Sequence, residues 1–298
     1  MNGEMSMSKK ITAGICFGGA GSWACALQNN NIETTWYYEK WRPAVKCFQS
    51  NWKDVHVFDD MKDINGDVDI VVGSPHCNGL SNANPANNIN HPANKLMFKY
   101  ADTIQYIRPK AFIMEESHRL LSSPVFVSLS FDILSKLNDI GYHLNTYVLD
   151  ANDYGSPQKR KRAYVIGFDT ELKKHHFKLP VKLKSVKATS VLPRKKFKLN
   201  IDYREPPRPG EKGIFSMYLR DKKCRTIKDT CPTITSCAWR DMYHPSGRFL
   251  STAEISALMG FPDSYIFEGS MARRCNLIGK GVDIRFTTRL LKSVKEVL

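Results

Sequence analysis

A cysteine in a glycine-flanked turn is the first residue whose type and position suggest chemistry. Cys77 lies in the stretch GSPHCNGLS, after the apolar run DVDIVV and before the Asn-rich stretch NANPANNINHPAN. Open α/β sheets bind ligands at the carboxyl ends of their strands, and a thiolate is a strong nucleophile. Cys77 is therefore a candidate nucleophile, since a thiol that only filled the core would have no use for a turn.

A glycine-rich stretch, FGGAGSW at residues 17–23, forms a second candidate site. It follows an apolar run and is expected to open a helix, where backbone amides can meet a nucleotide-like ligand. Glu39 ends the next apolar run, and a carboxylate there can bind ribose hydroxyls. Asp60, near the end of the third run, could bind an adenine amine. Taken alone, the glycine turn is also compatible with tight packing only.

Apolar β-rich segments alternate with helical stretches over the first 168 residues. The predicted strands are 11–17, 34–39, 54–58, 69–73, 110–116, 143–149 and 162–168, and helices are expected at 94–107 and 124–141. Such alternation predicts an α/β domain with a doubly wound, mostly parallel sheet and helices on both faces.

The charge balance favours a polyanionic partner. The formal net charge is +15, and residues 171–200 hold ten Lys or Arg and one acid, as expected of a surface that contacts a nucleic-acid backbone. The alternative for this stretch is a solvated charge run. No apolar run reaches the ~18 residues of a membrane span, so no membrane partner is expected. The N-terminus has no apolar signal core, which predicts a reducing, cytoplasmic location.

The cysteine pattern predicts neither disulfides nor a metal site. Eight cysteines are scattered without a CxxC pair. Cys224, Cys231, Cys237 and His244 could be drawn as a zinc site. Their cysteine spacings of seven and six residues fit no common zinc module.

The order of motifs along the chain resembles that of the DNA cytosine-5 methyltransferases. The motifs are FGGAGSW, YYEKW, GSPHCNGLS, RPKAFIMEES, YGSPQKRKRAYVIGF, PTIT, STAEISALMGFPDSY and NLIGKGV, which cover nearly the whole chain. The resemblance implies a Rossmann-like, S-adenosylmethionine-binding catalytic domain and a smaller target-recognition domain. These domains would be 1–168, completed by 273–298, and 169–272.

The same resemblance implies roles for individual residues. Cys77 would add to C6 of a cytosine flipped out of double-stranded DNA, while Glu115 would bind the base N3 and exocyclic amine. Arg162 would bind the base O2, and Arg160 would contact a phosphate or the scaffold. The residues expected to bind the donor are Phe17, Gly19, Gly21, Glu39, Asp60, Met61, Pro75, His76 and Lys280.

Three positions depart from the family pattern. The family's Pro-Cys is His76-Cys77 here, its Glu-Asn-Val is Glu115-Glu116-Ser117, and its Gly-Asn is Gly279-Lys280. The matching asparagine of the last motif lies beside the donor's sulfonium in the family.

Lys280 raises the question of which donor is used. An ammonium ~5 Å from a sulfonium would cost about 3 kcal/mol at an effective dielectric near 20, so an anion should lie between them. One candidate is Glu116, which would pair with Lys280. The other is a carboxylate on the donor, held by Lys280 and His76. Carboxy-S-adenosylmethionine would then replace S-adenosylmethionine, and the product would be 5-carboxymethylcytosine.

Other readings of the chain remain open at this point. A catalytically silent relative that binds DNA or a partner is one alternative, although the intact Cys77, Glu115 and Arg162 argue against it. An RNA-modifying relative is another. The expected partner is double-stranded DNA, and the chain is expected to be a monomer.

Overall fold

The computed structural model describes residues 10–75, 79–80, 89–172, 176–193, 230–238, 242, 244 and 249–298. The predictions for His76 and Cys77 lie outside these residues. Among the described helices, none is long and apolar enough to cross a membrane.

A seven-stranded sheet organises the chain, and every predicted strand is present. The strands are β1 (Thr12–Cys16), β2 (Glu33–Tyr38), β3 (His56–Phe58), β4 (Ile70–Gly73), β5 (Ala111–Ser117), β6 (Tyr142–Asp150) and β7 (Lys161–Asp169). Their order is β3-β2-β1-β4-β5-β7-β6. The pairs from β3 through β5 are parallel, whereas β7 runs antiparallel to both β5 and β6. The predicted α/β fold is confirmed, with a mixed sheet.

Helices cover both faces of this sheet. They are α1 (Ser22–Gln28), α2 (Arg42–Asn51), α3 (Lys95–Ile107), α4 (Arg119–Ser122), α5 (Val127–Asp139), α6 (Thr252–Met259), α7 (Met271–Gly279) and α8 (Ile284–Lys295). One hydrophobic core joins α1, α6, α7 and α8 to the sheet, and a second core joins α3 and α5 to its other face. The strand order reverses between β1 and β4, the place where doubly wound folds open a ligand crevice.

The last helix, α8, lies against the first helix of the chain. Its apolar side chains recur every three or four residues, so one stripe is buried. Phe286 in that stripe packs against Tyr154 and Tyr164, with ring centroids 4.7 and 5.2 Å apart. The Asn30 side chain, just past α1, donates a 2.9 Å hydrogen bond to the carbonyl of Thr288. The C-terminus thereby helps to hold the β1–α1 turn.

Candidate active site

The turn between β1 and α1 has a backbone that leaves open space. Phe17, Gly19 and Gly21 have φ angles of 52°, 57° and 87°, in the left-handed region that favours glycine. A Cβ added at Gly19 would meet no atom within 4 Å, whereas one added at Gly21 would lie 2.7 Å from the Trp52 ring. The chain therefore packs tightly beneath this turn and leaves room above Gly19 for a ligand.

Glu39 closes the turn from the end of β2. Its side chain is buried, and Oε2 accepts a 3.1 Å hydrogen bond from the backbone N–H of Gly19. Oε1 accepts a second hydrogen bond, of 2.9 Å, from the backbone N–H of Trp41. Each carboxylate oxygen has two lone pairs, so Glu39 retains acceptor capacity for hydroxyl groups. These observations fit a ribose beside the open space at Gly19.

Asp60 and Met61 lie at the end of β3, on the same edge of the sheet. Oδ1 of Asp60 accepts a 3.0 Å hydrogen bond from the N–H of Lys62, which caps a short 3-10 turn. Burial raises the pKa of Tyr38, and the negative charge of Asp60 adds to that shift. The Tyr38 ring in turn meets the Phe17 ring edge-on at 5.7 Å. We call Phe17, Gly19, Glu39, Trp41 and Asp60 the glycine-turn site.

Pro75 is buried at the end of β4, the strand beside β1. The preceding residue, Ser74, accepts a 3.0 Å hydrogen bond from the Trp23 indole N–H on α1. The chain is thus anchored at the point where it continues to His76 and Cys77.

Glu115 and Arg162 meet across the antiparallel pair β5–β7. Arg162 Nε lies 3.1 Å from Glu115 Oε1, and the Glu115 side chain is 8% exposed. Within the described part of the chain this oxygen accepts no hydrogen bond, so the contact is an ion pair that leaves a buried acceptor unsatisfied. A ligand with N–H groups could satisfy it. We call Glu115, Glu116 and Arg162 the paired-glutamate site.

Glu116 does not pair with Lys280, which corrects one alternative drawn from the sequence. Alternate residues of a strand share a face, so Glu116 lies on the same face as Met114, two positions earlier, which belongs to the core of α3 and α5. Helix α7, which leads into Lys280, packs on the other face. Among described residues, Glu116 Oε2 accepts a 3.0 Å hydrogen bond from Ser117 N–H, and Oε1 accepts none. Burial, with repulsion from Glu115, raises the pKa of Glu116 well above its usual range.

Arg160 occupies a scaffold position. Its guanidinium is buried and donates hydrogen bonds to the carbonyls of Ile234, at 3.1 Å, and Gly281, at 2.6 Å. Burial, with repulsion from Arg162, lowers the pKa of Arg160 to about 10, which leaves it charged near neutral pH. Arg160 therefore joins the start of β7 to the PTIT segment and to the turn that carries Lys280.

Lys280 lies beside the glycine-turn site. Its Nζ is 4.1 Å from the centroid of the Trp41 ring, a cation–π contact. Sequence reasoning gave Trp41 no role, although it belongs to the motif YYEKW. The available signal was an aromatic residue two positions after the strand-end carboxylate Glu39.

The chain is similar to known DNA-modifying enzymes over nearly its whole length. Residues 16–296 match the family model described as C-5 cytosine-specific DNA methylase. The type II methyltransferase M.HindV of Haemophilus influenzae is 26% identical over 284 residues, which cover 90% of this chain and 91% of the relative. The type II methyltransferase M.HgiDI of Herpetosiphon aurantiacus is 27% identical over 300 residues, which cover 95% and 93%.

Solved structures share the fold. The Entamoeba histolytica methyltransferase EhMeth superposes with a TM-score of 0.73 at 16% identity, covering 97% of this chain and 98% of the other. The S. pombe Dnmt2 methyltransferase gives a TM-score of 0.71 at 13% identity, covering 97% and 99%.

Proposed function

The chain belongs to the C-5 cytosine-specific DNA methylase family, and from that premise we propose that it alkylates C5 of a cytosine flipped out of duplex DNA. The observation that carries this proposal is the Glu115–Arg162 pair, whose buried oxygen Oε1 accepts no hydrogen bond from the described residues. A cytosine edge carries the N–H groups and the O2 that such a carboxylate–guanidinium pair can bind.

Each residue has a distinct part in the proposed reaction. The thiolate of Cys77 adds to C6 of the base, and Arg162 holds O2. Glu115 binds N3 and the amine, so that charge developing on the ring is stabilised. C5 would then attack the electrophilic carbon on the donor's sulfonium, and the bond between that carbon and sulfur would break, releasing the neutral thioether S-adenosylhomocysteine. Loss of the C5 proton and elimination of the thiolate then restore the aromatic base and the free enzyme.

The residues that would hold the donor are those of the glycine turn and the adjacent strand ends. Glu39 would bind the ribose hydroxyls, and Asp60 with Met61 would bind the adenine. Phe17, Gly19, Gly21 and Pro75 would shape the walls. The open space above Gly19 and the spare acceptor capacity of Glu39 support this assignment.

We further propose that the donor is carboxy-S-adenosylmethionine and that the product is 5-carboxymethylcytosine. The Lys280 ammonium lies over the Trp41 ring, and the backbone N–H of Trp41 donates a hydrogen bond to Glu39. The ammonium therefore lies beside the residues proposed to bind the alkyl donor. Glu116 lies on the other face of the sheet and does not neutralise it. A carboxylate on the transferred carbon would accept a charge-assisted hydrogen bond from the Lys280 ammonium beside the sulfonium, and His76 would donate a second hydrogen bond to the same carboxylate.

Mass spectrometry of nucleosides tests both parts of this proposal. Duplex DNA is incubated with the protein and either S-adenosylmethionine or its carboxylated analogue, with Cys77→Ala as the inactive control. We expect 5-carboxymethylcytosine to form in competition with an excess of S-adenosylmethionine. Lys280→Asn should weaken the carboxylated donor by roughly 10- to 100-fold, the loss of one charge-assisted hydrogen bond. Equal loss for both donors would exclude the carboxymethyl assignment, and unmodified DNA with both would exclude cytosine transfer.

The remaining architecture is part of the same proposal. Residues 169–272 would form the small target-recognition domain, and the basic stretch 171–200 would contact the phosphates of double-stranded DNA. The protein would act as a monomer.

A further inference from the structure

Trp41 connects two groups of the glycine-turn site that are far apart in the sequence. Its backbone N–H donates a hydrogen bond of 2.9 Å to Glu39. The centroid of its ring lies 4.1 Å from Nζ of Lys280. A single residue therefore contacts both the proposed ribose-binding carboxylate and the cation proposed to select the donor.

Trp41 has backbone and side-chain contacts besides the one with Lys280. Trp41 is the N-cap of α2, and its carbonyl accepts hydrogen bonds from the N–H groups of Ala44, at 2.8 Å, and Val45, at 3.2 Å. The ring packs against a small buried cluster of Ala20, Ala44, Cys47 and Leu277. These contacts come from the glycine turn, from α2 and from α7, so the ring is held between three elements.

We propose that Trp41 is a positioning residue that holds the ammonium of Lys280 over its ring and thereby sets which donor the enzyme accepts. This inference rests on the proposed function of Lys280 and extends it to a second residue. The face of an indole ring attracts a cation. A lysine that is already held loses less conformational freedom when a ligand binds, and its ammonium can still donate to a carboxylate.

An ammonium held over the Trp41 ring should lower the affinity for S-adenosylmethionine and raise the affinity for the carboxylated donor. It cannot move away from the sulfonium of S-adenosylmethionine, so repulsion between the like charges persists. It meets the carboxylate of the other donor without rearrangement. Removing the ring removes the cation–π contact that holds the ammonium in this position, which should weaken binding of the carboxylated donor and reduce the repulsion of S-adenosylmethionine. The ratio of the two affinities should therefore fall.

Titration calorimetry with three ligands measures that ratio. Carboxy-S-adenosylmethionine and S-adenosylmethionine give the ratio, while S-adenosylhomocysteine, which lacks the sulfonium charge, reports general damage to the pocket. We expect Trp41→Leu to lower the ratio roughly 3- to 10-fold and Trp41→Phe, which keeps a weaker aromatic face, to lower it less. In a Lys280→Asn background, Trp41→Leu should leave the ratio unchanged.

NMR of the ligand-free protein tests the contact without any donor. The ε-methylene signal of Lys280, assigned by its absence in Lys280→Asn, should be shifted upfield by the ring current of Trp41. The shift should persist in Trp41→Phe and disappear in Trp41→Leu.

The outcomes separate this inference from the proposed function. If wild type prefers the carboxylated donor through Lys280 but Trp41→Leu leaves the ratio unchanged, the role of Trp41 is overturned and the proposed donor survives. The same follows if the ratio falls equally in the Lys280→Asn background, or if the ring-current shift is absent. If Lys280→Asn does not change the ratio, the proposed donor fails and the role of Trp41 fails with it.

Discussion

The glycine-turn site and the paired-glutamate site both place a buried carboxylate at the end of a strand, but they satisfy it differently. Both oxygens of Glu39 accept hydrogen bonds from backbone N–H groups, those of Gly19 and Trp41. In the paired-glutamate site, Glu115 and Glu116 each have a buried Oε1 that accepts no hydrogen bond from the described residues. One site is complete without a ligand, and the other is not.

The glycine-turn site is therefore preorganised for its ligand, whereas the paired-glutamate site would gain hydrogen-bond energy when a ligand binds. Backbone hydrogen bonds fix the carboxylate of Glu39 before a ligand arrives, so little ordering is left for the binding step. A buried polar group without a partner costs about 1–3 kcal/mol, and a ligand that supplies the partner recovers that amount. Glu115 Oε1 already has the Arg162 guanidinium 3.1 Å away, so the proposed base would recover only part of that amount. Glu116 faces the core of α3 and α5, where burial disfavours the carboxylate and raises the pKa, so that the protonated form is favoured.

Glu115→Gln should produce the largest loss of activity of the substitutions considered at these two sites. A glutamine fills the same space but cannot move a proton or carry the charge that pairs with Arg162, so kcat should fall roughly 100- to 1000-fold. Donor affinity should stay within about twofold because the glycine-turn site is complete by itself. Glu33→Gln, at the exposed beginning of β2, is the matched control. A loss of donor affinity as large as the loss of kcat would mean that the two sites do not assemble independently.

Glu39→Ala should have a smaller effect, and it should lower donor affinity, the quantity that Glu115→Gln leaves nearly unchanged. The substitution strands two backbone N–H groups and removes the proposed ribose acceptor, so donor affinity should fall roughly 10- to 100-fold. Calorimetric titration with S-adenosylhomocysteine measures the loss, and thermal unfolding should show a lower Tm. Glu33→Ala, at the exposed beginning of the same strand, should change neither quantity appreciably. Retained donor affinity would remove Glu39 from the donor site.

The strands were predictable because the sheet is buried on both faces. Residues 70–73 and 111–114 are buried and apolar without interruption, which gives the continuous apolar runs that parallel strands show. The gathering of Phe17, Glu39 and Asp60 at one edge follows from the same pattern, because the carboxyl ends of neighbouring parallel strands meet there.

The contacts of Lys280 were not predictable from local patterns. The alternation of side chains along β5 places Glu115 and Glu116 on opposite faces, which sequence alone implies. The face that Lys280 reaches depends instead on how α7 docks, and that docking is fixed by distant contacts. Arg160 holds the Gly281 carbonyl, and Ser22 accepts a 2.9 Å hydrogen bond from the N–H of Val282. The pairing of Lys280 with Trp41 is therefore a tertiary result.

The smallest effect is expected from substitution of Glu116, and it concerns how the free energy of unfolding depends on pH. Its pKa in the folded protein is raised well above the ordinary value of 4.5, first by burial and then by the charge of Glu115. The folded state therefore holds this proton more tightly than the unfolded chain does. The stabilisation is complete below about pH 4.5 and declines as the pH rises toward the folded pKa, by at most ~1.4 kcal/mol per pH unit.

Glu116→Gln tests this decline because an amide of the same size carries no proton that titrates. The free energy of unfolding, measured by urea denaturation from pH 5 to pH 8, should fall more steeply for wild type than for the variant. The difference should grow in favour of glutamine over that range, at no more than ~1.4 kcal/mol per pH unit. Asp283, whose pKa burial also raises, is common to both proteins and cancels in the difference. Glu33→Gln should follow the wild-type profile because Glu33 forms an exposed ion pair with Lys10. Parallel profiles for wild type and Glu116→Gln would show that Glu116 is ionised in the folded protein, and the buried oxygen would then need a cationic or hydrogen-bonding partner.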